Sequence, residues 1–315
     1  AAQNPLYAPT GFAQFGHRSL KSWVAEPQLT YHTPVAGGRL QLLLGTSWQR
    51  VTDAGTQLMA SGYTNDALLQ SLSGASHVSA GNSYNDYRYA ALFGRIQYNY
   101  RQRYLMNLSG RRDGSSRFGE GRQWAQFGAA GAAWLPSEES WWPKIFPFIS
   151  FGKIRGSYGI TGNDQTGNYQ YTDSWRISPF AYQDIPALVP ARLFNPDYSW
   201  EVNRKLEAAL ELGLLKDRLL FTLAYFRNRS GNQLIRYTLP SQAGFTNVNR
   251  NFPALVQNKG LEITLDYKSA AGATVAWQSH FNLSLTRNKL MAFPGLASSS
   301  YAFNYVIGAP QNLIY

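Results

Sequence analysis

Few residues in this sequence are spaced for bond-making chemistry. The four histidines, His17, His32, His77 and His280, share neither helix nor metal-ligand spacing, and the chain has no cysteine. No phosphate-loop lysine motif and no G-x-S-x-G nucleophile elbow occurs. Asp113 and Glu120 flank a segment that also carries Arg111, Arg112, Arg117 and Arg122. A carboxylate pair can exchange protons, but neighbouring guanidinium groups hold carboxylates ionised, so each is expected in an ion pair. Rings at Tyr63, Tyr84, Tyr169, Tyr171, Trp175, Tyr182, Tyr198 and Phe245 stand among Asn, Asp, Gln and Arg. Such rings stack on sugars or grip peptide side chains, or they pack loop against loop, and the sequence leaves both open. Binding is therefore expected, with no catalytic residue, metal or cofactor.

The elements that must position these groups are strands. The chain has 315 residues, of which 15% are charged and 15% aromatic. It is too apolar to be disordered, and no run of 18 apolar residues marks a membrane helix. Hydrophobicity repeats every second residue. Leu261, Ile263, Leu265 and Tyr267 alternate with Glu262, Thr264, Asp266 and Lys268. The same period recurs at Leu40–Trp48, Leu92–Tyr100, Ile154–Ile160, Leu219–Tyr225 and Val275–Asn288, whereas Trp124–Trp134 is small on both faces. We read ten strands, at 22–32, 38–50, 88–100, 103–112, 123–135, 152–161, 200–214, 218–229, 258–268 and 273–287. Ten residues at about 3.3 Å each, tilted about 45°, climb roughly 23 Å, the height of an outer-membrane apolar band.

Short links at 33–37, Gln102, 215–218 and 269–272 alternate with long ones at 51–87, 113–122, 162–199 and 230–257. The link 136–151 breaks this alternation, with three prolines and a helical turn expected at Ser137–Ser140. Tight turns on one side and long loops on the other are the mark of an outer-membrane barrel. Aromatics fit two girdles: Tyr98, Tyr100, Tyr104, Tyr31, Trp134 and Tyr267 on the tight-turn side, Trp48 and Tyr225 on the other. The competing reading is that strands favour aromatics generally. The fold expected is all-β, a segment of an antiparallel transmembrane β-barrel.

Alternation then nominates a polar wall facing the lumen: Arg95, Gln97, Asn99, Asn107, Arg111, Glu262, Thr264, Asp266, Gln278, His280 and Asn282. Capture candidates in the long loops are Asp113, Arg117, Tyr169, Tyr171 and Trp175. The formal net charge is +11, from 29 Lys+Arg against 18 Asp+Glu. These cations are scattered, without a basic run or helix, so nucleic acid is not an expected partner. They suit anionic outer-membrane lipid and lipopolysaccharide, an anionic substrate, or the carboxylates of a protein partner.

Several blocks resemble one family, the SusC/RagA-like TonB-dependent outer-membrane transporters. They are Tyr98-Asn99-Tyr100-Arg101-Gln102-Arg103-Tyr104-Leu105, Arg111-Arg112-Asp113-Gly114-Ser115-Ser116-Arg117-Phe118-Gly119, and Gly152 through Asn163. Asn195-Pro196-Asp197-Tyr198-Ser199-Trp200-Glu201, Asn258-Lys259-Gly260-Leu261-Glu262 and Ile307-Gly308-Ala309-Pro310 agree, and the likeness is weakest over residues 1–85. The resemblance implies a 22-stranded barrel around a plug domain, energised through TonB, with a SusD-like lipoprotein lid, importing oligosaccharides or peptides. About ten strands and no plug are legible, and the zigzag starts and ends on the long-loop side. Residues 1–315 are thus expected to be a middle-to-late part of a larger barrel. No export signal is legible at Ala1–Pro5. A passive porin or adhesin barrel and a soluble carbohydrate-binding β-sandwich are the rival classes.

Overall fold

The computed structural model describes residues 11–178, 180, 183, 185, 187–269 and 274–311. Tyr182 and most of the 269–272 link lie outside them. The strands are β1 Gly11–Ala25, β2 Gln28–Val35, β3 Gly38–Tyr63, β4 His77–Tyr100, β5 Tyr104–Ser115, β6 Trp124–Trp134, β7 Ile149–Asn163, β8 Ser174–Ile177 and β9 Leu188–Arg192. They continue as β10 Glu201–Leu214, β11 Leu219–Gly231, β12 Gln233–Thr238, β13 Asn247–Phe252, β14 Leu255–Lys268 and β15 Gln278–Ala292. Eleven strands form one sheet in the order β1-β3-β4-β5-β6-β7-β10-β11-β14-β15, with β2 also beside β3, and β8-β9 and β12-β13 are separate hairpins.

Two units divide the chain. In the first, Ala1–Ala25 and Trp48–Tyr89, β1 pairs with the later half of β3 from Gly11↔Tyr63 to Ala25↔Trp48. Arg18 lies against Asp53 at 2.6 Å and Arg50 against Asp86 at 2.8 Å. The second unit, Glu26–Ser47 and Ala90–Tyr315, holds the rest of the sheet.

Several expected boundaries move. The strand expected at 22–32 is broken at Glu26-Pro27, because proline has no N–H to donate to a ladder. Pro27 still accepts from the Thr46 N–H at 3.1 Å, so pairing with β3 continues through the break. The long link expected at 51–87 shrinks to 64–76, since β3 has 26 residues and β4 has 24. Their added stretches, Thr52–Tyr63 and His77–Tyr87, are made mostly of polar and small residues, so no apolar period announces them. The last strand starts at Gln278 rather than 273, leaving Val275 and Trp277 before it. The helical turn expected near Ser137 is present as a 3-10 turn, Pro136–Glu138, followed by α1, Trp142–Ile145.

Tight turns carry the backbone that tight turns require. Ala36 and Gly37 both have positive φ, 47° and 77°, the pattern of a two-residue type I′ hairpin. Arg101 and Gln102 (50° and 59°) do the same between β4 and β5. There Tyr98, Tyr100 and Tyr104 form a ring series, with centroids 6.4 and 6.2 Å apart.

Cross-strand register sorts side chains onto two faces. One row runs Leu210, Leu223, Ile263, Leu283, and the next Leu212, Phe221, Leu265, Phe281. The face continues through Tyr158, Ala130 and Leu108 on β7, β6 and β5. The ambiguous β6 is thereby settled: Gly128, Ala130, Ala132 and Trp134 share the apolar face. Leu108, Leu261, Phe281 and Leu285 on it are exposed, which is what an apolar sheet face met by hydrocarbon requires. Many of the buried side chains gather instead at strand ends and in the connections next to them. Phe252, Ala254, Val256, Leu290 and Phe293 form one such core, covered by Tyr237, Tyr301 and Tyr305.

Candidate functional site

The polar face of the sheet is a hydrogen-bonded wall. On β14 and β15, Thr264 stands opposite Asn282 and Asp266 opposite His280. Thr264 Oγ1 donates to Asn282 Oδ1 at 3.1 Å, Asp266 contacts His280 Nδ1, and His280 Nε2 lies 2.6 Å from Asn282 Nδ2. Gln278 opposite Lys268, and Glu262 opposite Ser284, extend the same face.

Across β7 and β10 the wall carries four charges. Lys153 Nζ reaches Glu211 at 3.1 Å, Arg155 Nε reaches Glu211 at 2.8 Å, and Arg155 Nη1 also holds Glu207. Both cations and both anions come from alternate positions, because register places Lys153 opposite Glu211 and Ser157 opposite Glu207. None of the four is among the expected wall residues. Their signal was available: Lys153 and Arg155 alternate along one strand, as do Glu207 and Glu211 with a skip along another.

A third part of the wall is a cavity of about 430 Å³ lined by Phe93, Arg95, Ser109, Arg111, Asp113 and Thr161, among others. Arg111 Nε donates to both oxygens of buried Asp113, at 2.8 and 2.9 Å, and its guanidinium lies 5.8 Å from the Phe93 ring centroid. Arg95 Nε and Asn99 Oδ1 are buried without a hydrogen-bond partner among the described residues.

Beyond the long-link end of the sheet, the connections lock to one another. Phe118, fully buried, packs against Trp200 at 5.1 Å and Tyr198 at 5.9 Å between ring centroids. Trp200 Nε1 donates to Gln123 O at 2.9 Å. Asn195 Nδ2 donates to Asn249 O at 2.8 Å, and Asn251 Nδ2 to Ser199 O at 2.6 Å. Burial pushes the Tyr198 hydroxyl above its ordinary pKa, so it stays a neutral partner of the Thr166 hydroxyl, 2.6 Å away. On the tight-turn side, Glu139 gathers the Tyr104 hydroxyl at 2.7 Å and Arg103 at 2.9 Å. The Tyr104 hydrogen bond, with Trp134 and Arg103, holds the Glu139 carboxyl below its ordinary range.

A family of known proteins shares this pattern. The family described as "TonB dependent receptor-like, beta-barrel" matches residues 2–311. The chain belongs to that family. Its sequence is 29% identical over 289 residues to TonB-dependent receptor P3 of Formosa agariphila, covering 90% of this chain and 29% of that protein. It is 25% identical over 217 residues to TonB-dependent receptor SusC of Bacteroides thetaiotaomicron, covering 66% of this chain and 21% of that protein. The fold is similar to a solved structure of the RagAB peptide transporter: TM-score 0.81 and 20% identity, covering 94% of this chain and 33% of that one. The chain thus spans about a third or less of each of these three proteins, and the resemblance to SusC/RagA-like barrels read from its motifs holds.

In this TonB-dependent receptor barrel, several of the motif blocks that carry the resemblance are loop architecture. Arg117 is a staple: its Nε donates to Asn168 Oδ1 at 3.0 Å and its Nη1 to Asp164 O at 2.8 Å. Asp113 is paired with Arg111 as expected, but Glu120 makes no ion pair among the described residues, where Arg122 pairs with Asp197 instead. The Tyr171 ring lies against Gly119, where a Cβ would come within 3.0 Å. Tyr169 is held at φ +57° and Trp175 projects from β8, 59% exposed. Among the other loop rings, Tyr198 is buried, while Tyr63 and Tyr84 belong to β3 and β4 rather than to loops. Trp48 and Tyr225 likewise sit inside β3 and β11, which continue past them.

Proposed function

We propose that this chain is part of an outer-membrane active importer that admits oligosaccharides or peptides through a TonB-driven barrel. The observation that carries the reading is the pairing of an exposed apolar face with a hydrogen-bonded, charged opposite face on the same strands. A wall of this kind faces hydrocarbon on one side and a wet passage on the other. Membership of the family supports TonB dependence. The likeness to SusC and to the RagAB peptide transporter supports pairing with a SusD-like surface lipoprotein. A plug and further strands belong to this reading, as does a location in the bacterial outer membrane.

The loop cluster organised by Phe118 and Trp200 presents Trp175 and Tyr169 as capture surfaces. Released ligand then passes along Arg95, Gln97, Asn99, Asn107 and Arg111, and along the β14–β15 wall. The protein binds and moves its ligand without breaking it. The test is uptake of labelled oligosaccharide and peptide pools by cells carrying the full-length protein, before and after a protonophore. Energised uptake that collapses with the proton gradient is expected. Uptake that persists would make the barrel a passive porin.

A further inference from the structure

The apolar face ends abruptly toward the long connections. Past Tyr225, Leu261 and Leu285, which stand side by side, the next row on that face is Arg227, Lys259, Arg287. The row beyond holds Arg204 opposite Arg229, then Gln257 and Lys289. Six cations therefore fall in two adjacent rows, on the face that carries the apolar band. Like charges directly opposite one another on a sheet repel, so such rows call for an anion. No carboxylate answers them: Arg229 donates only to the Gln257 amide, at 2.8 Å, and among the described residues none of the six has an ion pair. Arg204, Lys259, Arg287 and Lys289 are exposed.

The opposite end of this face is different. The row nearest the tight turns is Leu214, Leu219, Tyr267 and Ser279, without a cation. The polar face has no such excess either, since Lys153 and Arg155 are matched by Glu211 and Glu207. The charge is thus confined to one boundary of the apolar band, on the long-loop side that faces outward in barrels of this class.

We propose that Arg204, Arg227, Arg229, Lys259, Arg287 and Lys289 form a binding site for the phosphates of the outer-leaflet glycolipid. Guanidinium and ammonium groups at the headgroup level are the donors that lipid phosphates select, and long cationic side chains can rest their aliphatic stems on neighbouring apolar surface while the charge stays in water. The proposal rests on the outer-membrane reading above and assigns the lipid partner a place.

The test uses the full-length protein reconstituted in nanodiscs, with native mass spectrometry counting retained lipid. Bisphosphorylated lipid A, enzymatically dephosphorylated lipid A and phosphatidylglycerol are the probes. The triple variant Arg227→Gln, Lys259→Gln, Arg287→Gln is expected to lose retention of bisphosphorylated lipid A by about tenfold, while Lys216→Gln in a tight turn does not. Equal retention by the triple variant overturns the site. So does equal retention of dephosphorylated lipid A, or of phosphatidylglycerol, by the unaltered protein. If the triple variant loses heat-modifiable gel mobility, the exposed single change Lys259→Gln decides: a smaller loss supports the site, and none overturns it. Failure of the unaltered protein to enter lipid at all would instead remove the membrane reading, and the site with it.

Discussion

Thr264 and Asn282 hydrogen-bond side chain to side chain across two neighbouring strands, 3.1 Å apart, while the residue just before Thr264, Ile263, faces Leu283 on the other side of the same sheet. Adjacent residues thus meet opposite environments. Ile263→Arg is expected to cost about 2–4 kcal/mol, the penalty for a cation facing mid-bilayer hydrocarbon, and Thr264→Arg far less. Urea refolding into lipid, or heat-modifiable gel mobility, compares the two; equal penalties would contradict the assignment of faces.

Phe118 is the keystone of the loop cluster, with no exposed surface and two aromatic neighbours. Phe118→Ala is expected to remove about 3–5 kcal/mol of local packing. The sheet itself should survive, because the cluster lies in the connections beyond it. Hydrogen exchange should accelerate in 116–123 and 193–200 while strands β10 and β14 keep their protection. Unchanged exchange in those two links would show that the ring is dispensable.

Arg155 bridges two carboxylates on the polar wall. The pairs are partly solvated, so Arg155→Gln is expected to change stability by no more than about 1 kcal/mol. Its effect should be electrostatic instead. Lys153 then faces Glu207 and Glu211 alone, and the cluster passes from neutral to net negative. Uptake of anionic ligands should fall relative to neutral ones of the same size. A variant that slows both equally would point to a structural role.

Glu139 gives the tight-turn side an acid sensitivity with a defined sign. Its carboxyl is held low in the folded protein, chiefly by the Tyr104 hydroxyl. The stabilisation is therefore complete above the unfolded carboxyl value of about 4.3 and is lost as pH falls through the folded value below it. Protection factors of 135–148, corrected for the intrinsic slowing of exchange in acid, should fall as pH drops below that range. In Tyr104→Phe the segment should already be looser at neutral pH and show less further change on acidification. A profile identical in both proteins would rule out the coupling.

The contrast between what was legible and what was not follows from how strands are specified. Alternation is a property of each strand alone. The sequence by itself therefore determined the apolar face through Leu265 and Phe281, the place of Thr264 and Asn282 on the opposite, polar face, and the tight turns at Gly37 and Gln102. Beyond the membrane band both faces of a strand are polar, so Thr52–Tyr63 and His77–Tyr87 carry no period and read as loop. Register and loop packing are set by partners far along the chain. Only the tertiary structure decided that Arg155 meets Glu207 and Glu211, and that Phe118 meets Trp200. It alone brought Arg227, Lys259 and Arg287 into one row. The physical reason is that a one-residue slip in any of those pairings would move every side chain to the opposite face, and only the assembled hydrogen-bond ladder forbids it.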